Sequence, residues 1–456
     1  YSDQGLECEH FDQAAQLQTL HQFSNQQDRD LSRILGKHHE AGFFHKGPSV
    51  MRNITYLKLN EFTAREERYL FYFIDSDQEF KLPVHYHNEY QQAYCLNYFW
   101  HLDRIFSKGK CEMLTGKVVG DPPVSPAVMA ANLLQDVNHV LAQLSQLEPN
   151  ASCQFHQEKQ VTTEQAAYHD MADKFGFTSA ATAHDYNCSL LSPHDHKACF
   201  RAMVSRLGQF FDGAHPTRTT PYTYQAPQDS LAPARTVYTG NYVLSANALQ
   251  YFIPFASSRW RMAGPTLGRI LQVLIDDQFC TANLPMHHRR TTHETGESEY
   301  RAGIKRREMN IDLSNEYRRQ FYGDVMLFSM DELVKLGYPL GKTDKATTRQ
   351  ILEHTSNKMI TIYQEKLQLV KERLQQLDHL IENSELWWAK DQDMQDALEQ
   401  LQQFCINMRN NFHTDGTAWQ QIMDEDSHRE CINNMLDEIM HYPEDLANWQ
   451  RLLGRH

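Results

Sequence analysis

The stretch "YLFYFIDSDQEF", residues 69–80, runs six apolar or aromatic residues straight into Asp75, Ser76 and Asp77. A short apolar run bounded by turn residues reads as a buried strand. Such a strand is covered along its length, so it delivers polar groups to a cleft only where it ends, at its carboxyl edge. Asp75 and Asp77 sit at that edge. There one carboxylate can meet a sugar or ribose hydroxyl while the other binds a hard cation, with diphosphate oxygens completing the shell. Asp-Ser-Asp is also good turn chemistry, and a plain turn after a strand is the competing reading.

Working outward, the spacing predicts a helix over 49–62 that feeds the strand at 69–74, and a helix followed by a short apolar strand is α/β grammar. Residues 10–40 carry helical spacing, "QQAYCLNYFWHLDRIFSKG" (91–109) reads as a helix, and "CEMLTGKVVGDPPVSPAV" (111–128) is strand-like. A helix follows over 127–148. Residues 149–235 are polar and irregular and read as a large insertion, after which order returns at "RTVYTGNYVLSANALQYFIPF" (235–255). In "SMDELVKLGYPLG", Ser329 and Glu332 match a capping box that precedes a Pro-Gly stop. Beyond it Ile360, Tyr363, Leu367, Val370, Leu374, Leu377 and Ile381 alternate steps of three and four, the seam of a coiled coil or helical hairpin. A boundary near residue 342 divides the chain into 1–342 and a helical 343–456.

The 44 Lys+Arg stand against 58 Asp+Glu, a formal charge of -14, so no strong field draws the chain to nucleic acid or anionic lipid. Nine cysteines without a CxxC pair read as reduced thiols of a cytoplasmic protein. In that compartment the glycosylation patterns at Asn53, Asn150 and Asn187 stay unmodified. No run reaches the length of a membrane span, and "YSDQGLECEH" is too polar for a signal peptide. Because the chain opens on Tyr1 rather than methionine, an upstream segment stays open.

Gly47, Ser49, Arg52 and Asn53 in "KGPSVMRN", followed by the apolar strand ending in "DSD", resemble the core of the GT-A glycosyltransferases, nucleotide-sugar-dependent enzymes with a DxD motif. "YTGNYVLSANAL", "RMAGPTLGRIL" and "ANLPMHHRRT" follow in that family's order, so the resemblance covers about residues 40–120 and 236–295. It implies a Rossmann-like, mixed-sheet catalytic domain over 1–342 with a C-terminal helical domain. The implied reaction moves a sugar from a nucleoside-diphosphate sugar to a hydroxyl of a glycan or glycoconjugate, with Mn²⁺ or Mg²⁺. By the same resemblance Asp75 touches the ribose or the metal, Asp77 ligates the metal, and His287 or His288 adds a ligand or a diphosphate contact. Lys46 and Arg52 would lie near the diphosphate, and Gly240 and Asn241 in the donor site.

Two departures stand out. The family's first strand has no clear counterpart, and "RMAGPTLGRIL" lacks the acid that inverting members use as general base, Asp276 and Asp277 reading as a helix end. A retaining reaction is therefore allowed.

Two other classes compete. An aspartyl phosphatase also carries its nucleophile in a DxD, but Gln78 and Glu79 follow here and an added carboxylate repels phosphate. A non-catalytic scaffold would act through the C-terminal helices, by self-association or docking, with Trp387 and Trp388 as core or partner-facing residues. "SPHDHKACF" offers His194, Asp195, His196 and Cys199 to zinc, yet no second pair follows at finger spacing.

Overall fold

Pro48 occupies the first position of a helix, where its missing N–H costs nothing, and Val50, Ile54 and Leu57 then fall on one buried face. In the computed structural model, which describes residues 5, 7–24, 31–36, 46–64, 68–86, 89–156, 183–190, 193–220, 222–290, 304–307 and 309–455, this is the third helix. Helices α1 (Gln13–Ser24), α2 (Ser32–Leu35) and α3 (Pro48–Asn60) precede strands β1 (Leu70–Ile74), β2 (Gln78–Glu79), β3 (Lys81–Tyr86) and β4 (Glu89–Tyr94). Then come α4 (Tyr98–Phe106), β5 (Met113–Gly120), α5 (Pro126–Leu144), α6 (His196–Leu207), β6 (Ala232–Pro233), β7 (Asn241–Ser245), α7 (Ala263–Leu274) and β8 (Phe279–His288). The hairpin of β9 (Lys305–Arg307) and β10 (Asn310–Asp312) leads into helices α8 (Ser314–Lys335), α9 (Lys345–Glu382), α10 (Trp387–Lys390), α11 (Gln395–Asn411), α12 (Thr417–Met423) and α13 (Glu425–Leu452).

The main sheet has six strands in the order β1-β7-β5-β8-β2, with β6 beside β8. Strand β7 runs antiparallel to both β1 and β5, pairing Ile74 with Asn241 and Leu114 with Val243, while β5 and β8 are parallel. Strands β1, β5 and β8 therefore point the same way. Their carboxyl ends, Ile74, Gly120 and His288, meet the start of β7 at one edge. Strands β5 and β8 are buried at every residue, as expected of strands covered on both faces. Helix α4 closes one face, where Leu102, Ile105 and Phe106 pack on Leu114, Val243 and Leu284. On the other face lie α3, α5, α7 and the C-terminal helices.

Several expectations are corrected. The helix over 91–109 begins only at Tyr98, because Asn97 caps it by accepting from the Trp100 N–H at 3.1 Å; the residues before it form β4. Ser329 caps nothing: it is fully buried in the middle of α8, which continues because Val325, Met326, Met330 and Leu333 keep a face in the core. The stretch over 149–235 is irregular in most of its described part, as expected, but it contains α6 and packs into the core. Phe200 of α6 stacks on Trp388 at 5.4 Å, and Phe211 packs on Phe404 at 5.7 Å. Residues 157–182 of that stretch lie outside the described residues.

The apolar seam of α9 is buried from Tyr363 to Ile381, with Ile360 half-buried, and α5 and α8 of the same chain pack against this helix. Arg373 donates to the Ala131 carbonyl at 2.6 Å and the Trp387 indole to the Leu144 carbonyl at 2.9 Å. Hydrophobic packing is continuous from Leu20 to Leu453, so the helices after residue 342 share one core with the sheet. No helix among the described residues is long and apolar enough to cross a membrane. All nine cysteines are free thiols.

Candidate active site

The edge where β1, β5 and β8 end gathers most of the residues singled out by the sequence. The Asp75 N–H donates to the Gly240 carbonyl at 3.2 Å, and the Gln78 N–H closes a turn on the Asp75 carbonyl at 3.2 Å. Arg52, reaching up from α3, pairs with the Asp75 carboxylate. Asp77 faces the end of β8: its Oδ2 lies 3.0 Å from His288 Nε2 and 3.5 Å from Arg290 Nη1, and its carbonyl accepts from the Arg289 N–H at 3.0 Å.

The tautomer of His288 has a consequence. Its Nδ1 lies 2.6 Å from the Asp121 carbonyl, which only accepts, so Nδ1 carries a proton. In the neutral ring Nε2 then has a lone pair, facing the carboxylate lone pairs of Asp77 at 3.0 Å. Such a pair is held together by a second proton or by a cation. Two donor atoms on one octahedral cation lie about 3 Å apart, from metal–oxygen distances near ~2.1 Å. An imidazole that donates its other N–H to a backbone carbonyl is the usual arrangement for a metal ligand. The Asp77–His288 donor set thus fits a small divalent cation.

The charges separate the two carboxylates. Burial alone would raise Asp77, but the hydrogen bond and charge that His288 supplies when its second nitrogen is protonated, with the charge of Arg290, hold it below the usual carboxylate range. Loss of hydration, helped by the charge of Asp77, lifts Asp75 above that range despite Arg52. Arg52 is itself buried, which works against its charge, but Asp75 and its neighbours keep it above its ordinary value.

The remaining residues divide. His287, one position from His288, takes the other face of β8: a Cβ on Gly120 would come 2.6 Å from its Cδ2, so only glycine fits there. Its Nδ1 has no hydrogen-bond partner among the described residues, and burial lowers its pKa. At Gly240 a Cβ would stand 2.5 Å from Gln78 Nε2, which donates to the Tyr238 hydroxyl at 2.5 Å, so a side chain there would have to displace that amide. Asn241 is fully buried; it donates to the Lys117 and Leu284 carbonyls at 3.1 and 2.8 Å and accepts from the Tyr72 hydroxyl at 2.9 Å. Its side chain staples the sheet from within. Lys46 lies just before α3, and burial lowers its pKa. Arg259 comes alongside at Gly47, 3.8 Å from where a Cβ would stand, on a loop whose Arg259 and Met262 hold left-handed backbone at φ 55° and 68°.

Sequence reasoning passed over Arg290, Asp121, Gln78 and Tyr238 as members of this site. The signal for Asp121 was its place directly after β5 in "GDPP", a second strand ending at the same edge. Arg290 stood in "HHRR", two residues beyond His288.

A second grouping lies in the 149–235 stretch. Cys153, His156, Cys188 and His194 bring one ligand atom each within 4.8 Å of one another, a cluster able to hold a metal ion. Of the four residues offered by "SPHDHKACF" only His194 takes part. Asp195 caps α6 by accepting from the Ala198 N–H at 2.8 Å, His196 bonds the Glu148 carbonyl at 2.7 Å, and Cys199, fully buried, brings its thiol against those of Cys153 and Cys188 from the core side without being one of the four.

Comparison of the chain with protein-family models, with curated proteins and with solved structures finds no match in any of the three.

Proposed function

We propose that the chain is a metal-dependent glycosyltransferase of the GT-A type, moving a sugar from a nucleoside-diphosphate sugar to a hydroxyl of a glycan or glycoconjugate. The observation that carries the reading is the meeting of Asp77 Oδ2 and His288 Nε2 at 3.0 Å, beside the Asp75–Arg52 pair, where three strands of a mixed sheet end. Mn²⁺ or Mg²⁺ held by Asp77 and His288 would supply the positive charge that a departing diphosphate needs. Asp121 keeps the His288 ring in the required tautomer. Arg290, Arg52 of α3 and Lys46 before it would add positive charge for phosphate oxygens, and Asp75 would meet a ribose hydroxyl or the cation. The start of α7 carries no carboxylate, and the proposal assigns no general base. Free thiols throughout support a cytoplasmic location.

Calorimetric titration of UDP and GDP, with and without Mn²⁺, tests the reading on wild type, Asp77→Ala and His288→Ala. The expected result is metal-dependent binding that both variants lose while their far-UV circular dichroism is unchanged. Preference for one base indicates the donor class. Absence of metal-dependent binding to either nucleotide by the wild-type chain sinks the proposal.

A further inference from the structure

We infer that Cys153, His156, Cys188 and His194 form a structural zinc site, separate from the carboxylate-histidine site at the sheet edge. Their four ligand atoms all lie within 4.8 Å of one another. In tetrahedral zinc with two sulfur and two nitrogen ligands the edges are about 3.3–3.8 Å long, by the bond lengths of such sites. Cys188 Sγ and His194 Nε2 already lie 3.2 Å apart. The rings of His156 and His194 approach edge-on, with centroids 4.9 Å apart at 79°, as two imidazoles sharing one ion do. An ion would draw the remaining ligand atoms inward by about an ångström to reach those edges.

The backbone holds the ligands in place before any ion arrives. Cys153 N–H donates to the His194 carbonyl at 2.9 Å, Cys188 N–H to the Phe155 carbonyl at 2.8 Å, and Ser152 pairs with Asp195 as a β-bridge. Three separate stretches are thereby knit at the cluster. Phe155 packs against Tyr186 and His196 beneath it, and α6 starts immediately beyond His194. Cys188 is buried, Cys153 and His194 are half-buried and His156 is exposed, which leaves one side open for entry of the ion.

The donor chemistry selects the metal. Two thiolates and two neutral imidazoles suit zinc and are poor ligands for Mg²⁺ or Mn²⁺, which prefer oxygen. Binding releases the two thiol protons to solvent, and two thiolates balance the charge of Zn²⁺, so a neutral unit sits at a partly buried place. All four positions come from the protein, so none is left for a reacting water, and the site is structural rather than catalytic. It ties together the chain on the two sides of residues 157–182.

The test uses the full chain purified in reductant, loaded with zinc alone and dialysed, with metal counted by elemental mass spectrometry. A cobalt-loaded sample is read by its absorption spectrum. The expected result is about one zinc per chain, with thiolate-to-cobalt charge-transfer bands and the intense d–d bands of tetrahedral cobalt. Cys153→Ser and Cys188→Ser should lose the retained zinc, while Cys8→Ser, at an exposed cysteine, keeps it. Should either serine variant fail to fold, the wild-type spectrum alone decides. A wild-type chain that retains no zinc, a cobalt spectrum without sulfur bands, or a Cys153–Cys188 disulfide in protein isolated without reductant each overturns the inference.

Discussion

Asp136 joins three separate stretches of the chain. From the middle of α5 its fully buried carboxylate accepts from Arg218 Nε and Nη2, each at 2.7 Å, from the Thr217 hydroxyl at 2.7 Å and from the His184 N–H at 2.8 Å. Burial works to raise its pKa, but Arg218, the charge of His215 and the His184 N–H hold it below the usual carboxylate range. Asp136→Asn leaves Arg218 buried without its counter-charge, and at pH 7 it is expected to cost about 3–5 kcal/mol in urea unfolding. A depressed folded-state pKa gives stability that is present above the unfolded value near ~3.9 and is lost as pH falls through the folded value. The wild-type and Asp136→Asn stabilities should therefore converge below about pH 4; a gap that stays constant into acid would contradict the ion-pair account. None of this was legible in the sequence. Asp136 sits among the polar residues of an amphipathic helix, and its partners are more than forty residues away. Asp75 and Asp77 were legible because a local pattern, an apolar run ending in acid, carries the information. The choice between His287 and His288 was not, because it depends on which face of β8 meets the turn after β1.

At the level of single elements, periodicity reveals a stripe and is silent on what covers it. The steps of three and four along α9 marked Ile360, Tyr363, Leu367, Val370, Leu374, Leu377 and Ile381 as one apolar seam, and all but the half-buried Ile360 are buried. Only the fold shows that α5 and α8 lie against it. Leu374→Ala should accordingly destabilise the chain by about 2–5 kcal/mol, the usual cost of emptying a buried leucine site. Sedimentation velocity should show wild-type and variant chains in the same oligomeric state. A variant that dissociated an oligomer without losing stability would place the seam at an interface instead. In the stretch over 149–235, His, Thr, Pro and Gln make no periodic pattern and most of the described backbone is irregular, yet Asp136–Arg218 and the aromatic contacts of α6 tie its described parts to the core, which no local pattern announces.

For the whole molecule, the continuous core joins the sheet to every C-terminal helix, and this sets how the chain unfolds. Tryptophan fluorescence reads mainly the helical region, through Trp387, Trp388, Trp419 and Trp449, whereas far-UV circular dichroism reads the entire backbone. The two probes should trace one coincident urea transition, since elements sharing a core lose it together. Two separated transitions would show that the helices after residue 342 are stable without the sheet. The last helix is the clearest instance of this sharing. The Trp449 indole donates to the Leu249 carbonyl at 3.0 Å, its ring packs on Phe252 at 5.9 Å, and Asp445 binds Arg33 of α2 at 2.8 Å. On the ribosome, residues 425–452 are made after everything they cover. The nascent chain therefore exposes Leu249 and Phe252 until that stretch clears the exit tunnel, and the time these residues need chaperone shelter runs at least until α13 has been translated.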